Sequence, residues 1–74
     1  MMTKEEIKEY VENDIQYHMD EFGLEREEVE GVVMDNIILR YIDNKISKED
    51  MLQCADYLKY DLNLDIIENK KNKK

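Results

Sequence analysis

The chain has 74 residues, 41% of them charged, with 19 carboxylates against 11 lysines and arginines for a net charge of −8, and one cysteine. A chain of this length makes one small domain that buries only about 60% of the surface its unfolded form exposes. A lone cysteine excludes an internal disulfide or a cysteine-built zinc centre and points to a reducing cytoplasm.

Thr3-Lys4-Glu5-Glu6 reads as a capping box that opens a first helix. Ile7, Val11, Ile15, His18 and Phe22 follow at spacings of three and four, so one broad face is apolar. Phe22-Gly23-Leu24 reads as the stop, with Gly23 left-handed and Leu24 folded back on the last turn. The first helix is therefore placed at about 4–22.

Glu25, Glu27 and Glu28 gather where carboxylates favour a helix start, and a second helix is expected over about 25–43. Nine of the fourteen residues from Val29 to Ile42 are apolar, and on a helix they cover most of the circumference. Only Asn36, Arg40 and Asp43 form a narrow polar seam. Such a helix needs neighbours on several sides, more than two other short helices supply. Gly31 inside it costs up to about 1 kcal/mol relative to alanine, which a close approach by another helix would offset.

Ile46-Ser47-Lys48-Glu49-Asp50-Met51 supplies a third start, with Ser47 as cap, Asp50 as a short box carboxylate and Ile46 stapled to Met51. Met51, Ala55, Leu58, Leu62 and Ile66 keep helical spacing, so the third helix is drawn over about 48–62. If Asn63 ends it early, residues 64–67 become a short fourth element. Four lysines crowd the last five positions, and residues 69–74 are expected to be a frayed, lysine-rich tail on a single domain of residues 1–68. The expected fold is all-α, a small antiparallel three-helix bundle.

No constellation points to catalysis, a cofactor or a metal. His18, the one histidine, sits on the apolar face of the first helix, too few nitrogen ligands for zinc. Cys54 has carboxylates nearby where an activated thiolate needs a base. Residues 43–50 resemble the second half of a calcium loop, but with Ile46 at its central hydrophobic position the first two ligands fall on Leu39 and Tyr41, so the loop fails. The spacing of Ala55, Leu58 and Tyr60 echoes a DNA-reading corner, yet Asp61-Leu62-Asn63-Leu64-Asp65 is acidic where positive charge is needed.

The sequence therefore reads as a non-enzymatic regulator or adaptor that binds another protein, one with a basic surface drawn by the acidic body. The expected contact residues are Met34, Ile38, Leu39, Tyr41 and Ile42 of the second helix with Tyr57 and Tyr60, and the acidic surface comprises Glu25, Glu27, Glu28, Glu30 and Asp35. Two alternatives follow from the same features. One is an inhibitor of the kind phages and mobile elements encode, offering carboxylates in place of DNA phosphates. The other is a homo-oligomer, a structural dimer in which the second helix packs on its symmetry mate. Direct nucleic-acid binding is disfavoured by the charge. Membrane association is not expected, because no apolar run nears the roughly 20 residues that span a bilayer and the start MMTKEEIKEY lacks a secretory apolar stretch.

Overall fold

The computed structural model describes residues 1–73, and these form four helices: α1 (Lys4–Phe22), α2 (Arg26–Ile42), α3 (Lys48–Leu58) and α4 (Leu64–Asn72). The first two boundaries follow local chemistry legible in the sequence. The Thr3 hydroxyl accepts from the Glu6 amide at 3.1 Å while the Glu6 carboxylate accepts from the Thr3 amide at 2.8 Å, so two free helix-start donors are satisfied reciprocally. Gly23 at φ 63 closes α1, its amide donating to the Met19 carbonyl. Asn44 takes the left-handed turn after α2 at φ 62, a conformation asparagine tolerates better than most residues.

α3 begins as its sequence predicts, with the Ser47 hydroxyl accepting from the Asp50 amide. Asp50 itself does another task. Its side chain accepts the Met2 amide at 2.8 Å, and Gln53 donates to the Met2 carbonyl, so the segment before α1 is tied to α3.

The end of α3 departs from expectation. The helix stops at Leu58, four residues short, because Lys59 adopts a left-handed conformation at φ 56 and the Tyr60 amide reaches back to the Ala55 carbonyl. That bond pattern is the one glycine usually closes. Asn63 then caps a new helix, accepting from the Ile66 amide at 3.2 Å. Residues 69–72, expected to fray, belong to α4, and Lys71 donates to the Tyr41 carbonyl at 3.0 Å and to the Asn44 side chain.

α1, α2 and α3 each pack against the other two, whereas α4 lies against α2 alone. The interior is built from Val11, Val29, Val33, Ile37, Met51 and Cys54, all fully hidden. α2 is thus enclosed on three sides, and α4 provides cover that a three-helix arrangement lacks. Gly31 marks no close approach: a Cβ there would meet no heavy atom within 4 Å.

Two charged clusters seal the α1 side of the core. Arg26 forks onto Glu12 at 2.8 and 2.6 Å, and the Tyr57 hydroxyl donates to the same carboxylate at 2.6 Å, joining α2, α1 and α3. Arg40 donates to Asp14 at 2.7 Å and to the Tyr10 hydroxyl at 2.8 Å. The narrow polar seam is therefore turned, at Arg40, toward α1. By helical phase this leaves Glu28, Val32, Asp35 and Leu39 on the solvent side of α2.

Candidate functional site

Seven residues were expected to form one contact surface, and the fold disperses them. Met34, Tyr41 and Ile42 are buried, Tyr41 at 5% and Ile42 at 6% exposure, so they offer almost no free area while α4 is in place. Tyr57 is half-buried, spends its hydroxyl on Glu12, and lines a cleft with Lys4, Ile7, Gln53 and Asp56 on the α1/α3 side. Tyr60 is exposed in the connection between α3 and α4. Ile38 is half-buried and Leu39 is 56% exposed.

Ile38, Leu39 and Ile42 do come together. With Asp35 they form one wall of a groove of about 350 Å³ between α2 and α4, and Ile67 and Lys70 form the other. Four of these six lining residues are aliphatic, with one carboxylate and one ammonium on opposite walls. Val32, 41% exposed, lies on the same face one helical turn from Asp35 and two from Leu39. Val32, Ile67 and Lys70 are the three members that sequence reasoning missed. Asn63 as a cap carries the phase that puts Lys70 near Ile67, but that phase is invisible if residues 69–74 are taken as a tail.

The acidic residues divide as well. Glu25, Glu27, Glu28 and Asp35 are exposed, whereas Glu30 is half-buried and accepts from Arg26 Nε at 3.2 Å. The strongest electrostatic perturbation lies at Glu12. Hydrogen bonds from Arg26 and Tyr57 hold its carboxyl down at about 2, against partial desolvation, and the bond to Glu12, with burial, raises the Tyr57 phenol while Arg26 opposes that rise. Burial opposes the charge of Arg40, but its bonds to Asp14 and Tyr10 outweigh that and stabilise the cation. Cys54 is pushed up to about 11 by burial and by the Asp50 carboxylate, so it stays a thiol near neutrality. The His18 ring approaches the Asp14 carbonyl at 2.8 Å through Nδ1 and packs between Tyr17 and Phe22.

Among the described residues no group of three or more histidine, cysteine or acidic side chains comes together to hold a metal ion, and no helix is long and apolar enough to cross a membrane. What the groove and strip can do chemically is bind: they combine dehydratable aliphatic area with a small number of fixed charges. Comparison with models of protein families, with curated proteins and with solved structures finds no match to this chain.

Proposed function

We propose that the protein is a non-enzymatic regulator or adaptor that binds another protein through the outer strip of α2 and the groove beside α4. The observation that carries this reading is the exposure of Val32 and Leu39 on a helix whose remaining sides are sealed by α1, α3 and α4. Ile38, Ile42 and Ile67 join Leu39 in the groove, which gathers four aliphatic side chains in one place. α1 to α3 are taken here as an antiparallel bundle, the arrangement that their short connections favour. The net charge of −8 selects a partner with a basic surround, steering encounter while the aliphatic strip supplies the lasting contact.

A Leu39→Asp variant tests the reading, because Leu39 is exposed and its replacement leaves the core intact. A partner captured by the unaltered protein should withstand high salt and be lost with Leu39→Asp. A complex that survives Leu39→Asp, dissolves on charge reversal of Glu27 and Glu28, and is competed by DNA would transfer the function to the charge-mimicking inhibitor. Light scattering separates the structural dimer: a doubled mass that Leu39→Asp halves would make the strip a contact between copies.

A further inference from the structure

α4 is held in place by less than any other helix. It has nine residues, a length that is marginal for an isolated helix in water, and it rests on α2 alone. Ile67 is its one buried side chain, and Leu64 is half-buried at its start. The remaining attachment is a polar latch around Tyr41 and the Asn44 side chain, which accepts from Lys71. The Tyr41 hydroxyl donates to Glu68, and Lys71 reaches the Tyr41 carbonyl at 3.0 Å with its ammonium 4.4 Å from the centre of the Tyr41 ring. That carbonyl belongs to the last turn of α2, where free acceptors and the negative end of the helix dipole favour a cation. Residues 59–63 tether it to α3.

Beneath α4 lies what α2 would otherwise show to water, the Tyr41 ring and Ile42. We propose that this side of α2 is a helix-binding site for which α4 is the resident occupant, and that an amphipathic helix of a partner protein takes its place. The resident helix defines the recognition chemistry. It presents an aliphatic side chain (Ile67), a carboxylate at the next residue for the Tyr41 hydroxyl (Glu68), and an ammonium three residues later for the end of α2 (Lys71). A partner helix carrying that aliphatic, acidic and basic spacing satisfies the same groups.

The affinity expected follows from the tether. Short linkers hold their ends at effective concentrations of the order of millimolar, so a strap that is closed about a hundredfold over open corresponds to a free helix binding at roughly tens of micromolar. This inference rests in part on the reading above, because Ile42 and Ile67 line both the groove and the seat of α4, whereas Leu39 and Val32 lie outside that seat. Its test uses the protein and its own sequence and varies Ile67 and Lys71, whereas the strip is tested by Leu39→Asp, so the failure of one is distinguishable from the failure of the other.

Native-state hydrogen exchange on the full chain is the first measurement, with the amides of residues 66–72 expected to exchange at least tenfold faster than the slowest amides of α1 and α2. Ile67→Asp should free α4 while α1 to α3 stay protected, and Lys71→Glu should open it partially. A synthetic peptide of residues 60–73 should then shift the Tyr41 and Ile42 resonances of the Ile67→Asp protein at tens of micromolar. It should bind the unaltered protein at least tenfold more weakly, and a peptide carrying Lys71→Glu should lose at least tenfold. Exchange of α4 only through global unfolding, collapse of the whole chain in Ile67→Asp, or a peptide that leaves α2 unmoved at millimolar concentration would each overturn the proposal.

Discussion

The two sides of α2 are built on different principles. Toward α1 and α3 it buries Val29, Val33 and Ile37 completely, and the rim is closed by the Arg26–Glu12–Tyr57 and Arg40–Asp14–Tyr10 clusters. Toward α4 it meets one aliphatic side chain and a lysine latch. A small domain can thus divide its stability unevenly, keeping one face rigid while another stays exchangeable. The lesson concerns position as much as composition. An isoleucine at the centre of three helices and an isoleucine under one short helix are equally hidden to within a few per cent, yet they hold different things together.

The largest expected effect breaks that comparison directly. Ile37→Ala should cost about 3–4 kcal/mol in urea unfolding, the transfer loss plus a cavity the surrounding helices cannot close. Ile67→Ala should level off at about 2–3 kcal/mol or less, because a mutation in α4 can remove no more than the free energy that docks it. The second variant should also show a smaller dependence on denaturant, since its native form already exposes the seat of α4. Equal losses with unchanged slopes would mean that α4 is an integral part of one cooperative unit.

A smaller effect belongs to the rim. The Glu12 carboxyl sits at about 2 against an ordinary value of 4.5, so its folded pKa is depressed. Its contribution to stability is full above pH 4.5 and is lost as pH falls from there toward 2. The cluster is partly open to solvent, which screens the interaction to about 1 kcal/mol. Glu12→Gln should therefore lower stability at pH 7 by about that amount and flatten the acid limb between pH 4.5 and 2, with no change in the exchange of α4. An unaltered acid limb would show that the fork between Arg26 and Glu12 contributes nothing in solution.

These contrasts also show what the sequence could and could not reveal. Helix starts were legible because Thr3, Glu6 and Ser47 act on amides within three residues, and Gly23 was legible because it carries its own backbone preference. The end of α3 was not. Lys59 has no intrinsic reason to be left-handed, and the turn there is imposed by how Tyr60 to Asn63 carry the chain to a new cap. The apolar circumference of α2 demanded cover on several sides, and part of that cover, Lys70 and Lys71, lay in residues that local composition marked as tail, while Ile67 belongs to the stretch that becomes a short fourth element if Asn63 ends the third helix, with Glu68 beside it. Lys71 becomes structural only when folding places it at the end of α2, thirty residues away in sequence from Tyr41. Burial of Tyr41 and most of Ile42 follows from the same placement, so the contact surface read from periodicity was too broad, and what the groove keeps of it is Ile38, Leu39 and the edge of Ile42, with Asp35, joined by Val32, Ile67 and Lys70.

The smallest effect sharpens the comparison by leaving both interfaces alone. Gly31 lies in the interior of α2, and an added Cβ would meet nothing within 4 Å. Gly31→Ala should therefore stabilise the protein by about 0.5–1 kcal/mol, through helix propensity and a less disordered unfolded chain rather than through any contact. α2 is helical whether α4 is docked or lifted, so this gain cancels from the equilibrium between those two forms. Global unfolding should shift to higher urea while the exchange of residues 66–72 stays where it was. If α4 instead gains protection in step with α1 and α2, the two sides of α2 open together, and the asymmetry between them is one of packing without being one of stability.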